Sequence, residues 1–190
     1  PSDDTDPLER VFIQWNYSYY YPAITMCNHV TESGRQSLKY RVDVASMGKL
    51  GFDIRANELN PEDLAFCRQS IKNYNGFKDI VWHGDMYRLK SPYENDMTAL
   101  MFVDTTQTKA VVFNYLTNWR YVADPATDPV KFQGLDPARK YRIKELNLYG
   151  SQKTAIDENK TYSGDYLMTI GFNPGVSLNR SSVVLELEAI

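Results

Sequence analysis

Pro1-Ser2-Asp3-Asp4-Thr5-Asp6-Pro7-Leu8-Glu9 is the stretch on which the reading of the chain turns. Asp6 suits a helix N-cap, Pro7 the first helical position, and Glu9, three residues after Asp6, the reciprocal place in a capping box. Beyond it Leu8, Val11, Phe12, Trp15 and Tyr19 recur at helical spacing, which predicts a helix with one buried face. Asp3 and Asp4 are then left on the loop before the helix, where a rigid scaffold commonly presents catalytic groups. The plainer reading is that all three acids cap and solvate a helix start, each favoured by the helix dipole by about 0.3–1 kcal/mol.

Outward from this helix, Tyr19-Tyr20-Tyr21-Pro22 closes the segment, because a residue before proline is pushed out of helical space. Residues 23–30 read as a short strand running into a polar loop, 31–36. Helix, strand and loop in that order are the grammar of an α/β unit. Residues 38–45 predict a short helix, broken by Gly48 and Gly51. Asn60-Pro61-Glu62-Asp63 opens another helix, whose apolar face (Leu64, Cys67, Ile71, Tyr74) reaches a turn at Asn75-Gly76.

From about Ile80 the period shortens. Trp82, Tyr87 and Leu89 alternate with polar residues, 100–103 and 110–113 are short apolar runs, and 141–148, 166–170 and 183–187 complete a set of strands. Short strands separated by Gly, Pro, Asn and Asp clusters predict an antiparallel β-sandwich. The class is thus α+β: residues 1–78 as βα units, residues 79–190 as an all-β domain. A closed parallel barrel needs eight strands. Residues 1–78 therefore cannot bury their own apolar faces and must lean on the sandwich or on further chain.

Of 190 residues, 24% are charged with a net charge of -3, which argues against nucleic acid and anionic membrane as partners. No apolar run approaches the ~20 residues of a spanning helix. Cys27 and Cys67 are too few and too far apart for a disulfide framework, and with His29 and His83 they show no zinc-type spacing; neither metal nor cofactor is expected. Aromatics make up 13% of the chain, with 14 tyrosines. Trp119 and Tyr121 could stack on a sugar, although aromatic residues also favour strands for packing alone.

The ordered set Ser2-Asp3-Asp4-Thr5-Asp6, Leu8-Glu9-Arg10, Tyr21-Pro22, Met26-Cys27-Asn28-His29-Val30 and Gly34-Arg35 resembles the bacterial α-galactosidases of glycoside hydrolase family 36. So do the later pieces Leu50-Gly51-Phe52, Gly84-Asp85-Met86-Tyr87-Arg88-Leu89, Ser91-Pro92, Gly134-Leu135-Asp136-Pro137, Ser163-Gly164 and Leu167-Met168. The resemblance implies the seventh helix, eighth strand and eighth helix of a TIM barrel, then a C-terminal β-sandwich. It makes Asp3 the general acid/base of a retaining glycosidase acting on α-galactoside oligosaccharides. Such a group needs a raised pKa, which nearby negative charge and partial burial can supply.

By the same resemblance Asp4 tunes Asp3 or is simply solvated, and His29 ends the eighth strand, where a side chain can face substrate. Cys27 departs from the small residue usual there, and Arg35 could hold a carboxylate across the site, although a plain exposed arginine is the better reading. The family's nucleophile stands in a lysine-tryptophan-aspartate context, and a cysteine-serine-serine-glycine stretch shapes its sugar pocket; neither string occurs in this chain. The expectation is therefore the last quarter of an enzyme, carrying half of its catalytic pair, inert alone, with its true N-terminus elsewhere and its localisation, bacterial cytoplasm or periplasm, left open. A homo-oligomer is compatible with this reading. Galactosyl transfer, N-acetylgalactosamine specificity, and a non-catalytic carbohydrate-binding or structural sandwich are the alternatives.

Overall fold

The computed structural model describes residues 6–32, 34–118 and 129–190. Asp3, Asp4, Trp119 and Tyr121 lie outside them. The first helix, α1 (Pro7–Tyr17), starts where its cap chemistry dictates: the Asp6 carboxylate accepts the N–H groups of Leu8 at 2.9 Å and Glu9 at 3.2 Å. The expected strand over 23–30 divides into a 3-10 turn at Ala23–Thr25 and strand β1 (Cys27–Thr31). Ser37 then caps α2 (Leu38–Ala45). Gly48 and Gly51 do more than break that helix, since β2 (Lys49–Asp53) runs parallel to β1 with His29 paired to Gly51. A parallel pair joined through a helix is the unit from which barrels are built.

The third helix corrects the expectation of a turn at Asn75-Gly76. Capped by Asn60, α3 runs unbroken from Pro61 to His83 and carries Gly76 in its interior and Trp82 in its last turn. Phe77, Ile80 and Val81 continue the buried stripe of Phe66, Cys67 and Tyr74, and that burial outweighs the weak helix propensity of Asn and Gly. Trp82 is therefore helical, not the first residue of a strand.

After Gly84 the chain becomes a sheet. Strands β3 (Asp85–Lys90), β4 (Met97–Val103), β5 (Lys109–Leu116), β6 (Lys140–Leu146), β7 (Thr161–Ser163) and β8 (Ser182–Ala189) make one antiparallel sheet in the order β3-β4-β5-β8-β6-β7. Residues 166–170 are not a strand. Ser163 caps a short helix, α4 (Gly164–Thr169), by accepting the Tyr166 N–H at 3.1 Å, and Leu167 is buried from it.

Both faces of the sheet are covered, which is why β4 and β5 read as apolar runs rather than alternating strands. On one face Leu100, Phe102, Val111, Phe113, Tyr115 and Val184 share a core with Val11 and Trp15 of α1, Tyr40 and Val44 of α2, and Phe77 and Ile80 of α3. On the other, Met101, Val112, Leu185 and Ile143 pack against Val130, Phe132, Leu167 and Phe172. A smaller cluster of Val30, Val42, Ala45, Phe66 and Cys67 joins β1 to its two helices. The βα segment and the β domain thus share one core.

Candidate active site

Alternation along β1 and β2 divides their side chains between two faces. Asn28 and Val30 are buried toward the helices, whereas Cys27 and His29 are exposed on the opposite face. Lys49 and Gly51 are their register partners, and Asp53 pairs with Thr31. His29 lies over Gly51: a Cβ at that glycine would come within 2.8 Å of the imidazole Cδ2. Cys27 is on the same face two residues earlier, about 6.6 Å further from the C-terminal end of the strand. Sequence reasoning brought out His29 and Cys27 but missed Lys49 and Asp53, because the strand that carries them was read only as a helix break.

The strand is held by a polar contact behind it. Arg10 of α1 donates to the Asn28 side-chain oxygen at 2.8 Å, and the Asn28 amide donates to Gln14 at 3.0 Å and to the Ala45 carbonyl at 3.3 Å. All three side chains are buried, so these bonds are costly to leave unmade. They fix the strand, and with it the direction of His29, against α1 and α2.

At the C-terminal end of β1 the chain turns through a loop against the start of α1. Gly34 has a φ of +92°, and a Cβ there would collide with the Pro7 ring and lie 3.2 Å from the Asp6 carboxylate. Asp6, next in the chain after the Asp3-Asp4-Thr5 string, therefore lies beside the loop that follows β1. In parallel α/β structures this rim is the catalytic end. The loops after β1 and β2 are tied together there, since Arg55 donates to both carboxylate oxygens of Glu32, at 3.2 and 3.0 Å, and to Glu58 at 3.0 Å. Those hydrogen bonds hold the Glu32 carboxyl below the usual range and raise the Arg55 guanidinium. Arg41 of α2 adds a bond to the Thr31 carbonyl at 2.5 Å. Arg35 is exposed on the same loop.

Among the described residues no three of His, Cys, Asp and Glu come together in a way that could hold a metal ion. Cys67 is buried within α3, and burial, aided by Asp63, pushes its thiol up. It has no part in the rim.

Two family models match consecutive parts of the chain: Melibiase over residues 1–84 and the glycosyl hydrolase family 36 C-terminal domain over residues 97–187. The chain is 30% identical to α-galactosidase 1 of Pediococcus pentosaceus over 100% of its own length and 25% of that protein's. It is 33% identical to α-galactosidase 2 of Hypocrea jecorina over 98% of its own length and 24% of that protein's. Among solved structures, a variant of the family 36 α-galactosidase AgaA from Geobacillus stearothermophilus in complex with raffinose superposes with a TM-score of 0.83 at 28% identity. That superposition takes in 100% of this chain and 25% of AgaA. The chain thus spans about a quarter of the length of the proteins it matches. With one segment formed as the end of a parallel barrel, the next as an antiparallel β domain, and both matched in that order, the chain belongs to glycoside hydrolase family 36.

Proposed function

We propose that the chain is the C-terminal part of a retaining α-galactosidase, in which residues 1–78 close the catalytic barrel and residues 79–190 form the β domain, joined at the last turn of α3. The observation that carries the reading is the rim: Asp6 stands beside the loop that follows β1, on the end of the strands where parallel barrels do their chemistry. Asp3 is three residues before Asp6 in the chain. We assign it the role of general acid/base, with His29 facing the substrate and Asp4 and Cys27 as lesser contacts.

A retaining glycosidase needs two carboxyl groups about 5–5.5 Å apart, one as nucleophile and one as acid and then base. Asp3 would first protonate the leaving glycosidic oxygen while the nucleophile attacks the anomeric carbon. It would then take a proton from the water that hydrolyses the covalent intermediate. No lysine-tryptophan-aspartate string is present to supply the nucleophile, so the isolated chain should leave aryl α-galactosides untouched.

The test is Asp3→Ala in the full-length protein. Substrates with poor leaving groups should slow by about 10²–10⁴-fold, the usual contribution of general acid catalysis. Activated aryl galactosides, which need little protonation, should suffer less in the first step and stall at hydrolysis of the intermediate. Azide, a nucleophile that needs no base, should restore turnover and yield the α-galactosyl azide. Asp4→Ala should show neither effect. If Asp4→Ala shows the leaving-group dependence and the rescue while Asp3→Ala does not, the assignment moves by one residue; if neither does, it fails.

A further inference from the structure

The opposite end of β1 carries a second feature, which the rim chemistry does not use. Tyr19, Tyr20 and Tyr21 follow the last turn of α1 and stand 59%, 82% and 51% exposed. With Trp82, Met86 and Arg88 they line an open cavity of about 320 Å³ where the C-terminal ends of α1 and α3 meet the edge strand β3. Large aromatic side chains gathered at a surface in this way are the usual mark of something that binds there.

The rings stand on a fixed base. The N–H groups of Tyr20 and Tyr21 both donate to the Tyr17 carbonyl, each at 3.0 Å, that of Tyr19 donates to Asn16 at 3.2 Å, and Pro22 follows. Tyr21 stacks on Tyr17 with centroids 4.6 Å apart. Tyr19 carries the Arg88 guanidinium 3.9 Å from its ring centroid, and Arg88 Nε donates to the Ser18 hydroxyl at 2.9 Å. Tyr20 is the most exposed of the three. The backbone N–H groups and the Ser18 hydroxyl are taken up within the turn, and Ser18 accepts from Arg88 Nε and Nη2. An exposed ring beside a guanidinium held in this way, with further N–H groups to give, matches a pyranose, whose axial C–H face stacks on an aromatic ring while its hydroxyls take hydrogen bonds at the edge. A lipid or an aliphatic peptide would ask for a greasier floor; Ala23, Val81 and Phe102 are buried beneath this one, which leaves Pro22 and Met86 as its accessible apolar residues besides the tyrosines and Trp82.

We propose that this cavity is a saccharide-binding site separate from the catalytic rim, with the Tyr20 ring as its stacking platform and Arg88 as its fixed donor. The choice of a saccharide rests in part on the α-galactosidase reading, and the site would hold a neutral galactosyl oligosaccharide or polysaccharide close to the enzyme without cleaving it. Native electrophoresis of the full-length protein through gels containing soluble galactomannan tests this. The parent protein should be retarded, Tyr20→Ala should bind about tenfold more weakly (about 1.4 kcal/mol), and Tyr20→Phe, which keeps the ring, should match the parent. Turnover of an aryl α-galactoside should be the same in all three. Equal retardation of Tyr20→Ala and parent, or a parent that is not retarded, overturns the site. So does a Tyr20→Ala protein that sediments at a lower mass, since the ring would then be sealing two copies together. A protein that cleaves no aryl galactoside yet loses retardation with Tyr20→Ala would sink the enzyme reading and leave this site standing.

Discussion

Asp43 has no exposed surface, yet it is a carboxylate on α2. It accepts from Lys39 Nζ at 2.6 Å, from the Ser182 hydroxyl at 2.7 Å and from the Asn147 amide at 2.8 Å. Asn147 holds a left-handed φ of 56° and takes a bond from Asn73 of α3 at 2.9 Å. One side chain on α2 therefore holds the end of β6 and the start of β8 and, through Asn147, reaches α3. Asp43→Ala would leave Lys39 buried and uncompensated, and breaking such a pair typically costs about 3–5 kcal/mol. Ser182→Ala removes one hydrogen bond and should cost about 1 kcal/mol. Urea midpoints of the two variants should separate accordingly, and equal midpoints would show that Asp43 is not the hub. Lys39 is four residues from Asp43, but nothing in the sequence marks Asp43 as a hub, because its other two partners are 104 and 139 residues away. Asp6 and Asn60 were legible as caps because a cap is satisfied within three residues.

At the scale of elements, what was readable depended on how many faces an element buries. The amphipathic α1 and the alternating β6 declare themselves, since each has one wet side. Tyr166-Leu167-Met168-Thr169-Ile170 is an apolar run too short for its period to separate strand from helix, and the Ser163 cap decides the matter. Asn75-Gly76 looks like a turn by composition but sits inside α3, where the buried stripe prevails. The two glycines of this region should then respond oppositely to alanine. A Cβ at Gly76 meets nothing within 4 Å, so Gly76→Ala should stabilise the chain by about 0.5–1 kcal/mol through helix propensity. A Cβ at Gly84 would lie 2.5 Å from the Ile80 carbonyl oxygen and closer still to that of Val103. Gly84→Ala should cost about 1–3 kcal/mol, as overpacking does. Thermal unfolding of the pair checks both signs, and a stabilising Gly84→Ala would mean that the joint between α3 and β3 can shift.

For the whole molecule, the seam between the βα segment and the sheet is the part that must hold, and two buried tyrosines lie in it. Tyr115 donates to the Asp43 carbonyl at 2.9 Å, Tyr40 donates to the Leu116 carbonyl at 3.2 Å, and their rings meet edge to face with centroids 5.6 Å apart. Burial, then the charges of Asp6 and Asp43, push the Tyr40 phenol well above its ordinary value. Burial, then Asp43 and Tyr40 itself, do the same to Tyr115. Both hold their protons more tightly folded than unfolded. Their contribution is therefore complete below about pH 10, the ordinary tyrosine value, and is lost as pH rises beyond it, because the unfolded chain releases protons that the folded chain keeps. Since both segments share one core, their loss should take the whole chain down in a single transition. Urea unfolding followed at tryptophan and by far-ultraviolet circular dichroism should give coincident curves at every pH, with a stability that falls steeply above about pH 10. Tyr40→Phe should cost about 1 kcal/mol at pH 7 by removing a hydrogen bond, yet lose less than the parent between pH 10 and 11. If its alkaline limb, and that of Tyr115→Phe, run parallel to the parent's, the seam is not what titrates; if the two probes separate, the segments do not fold as one.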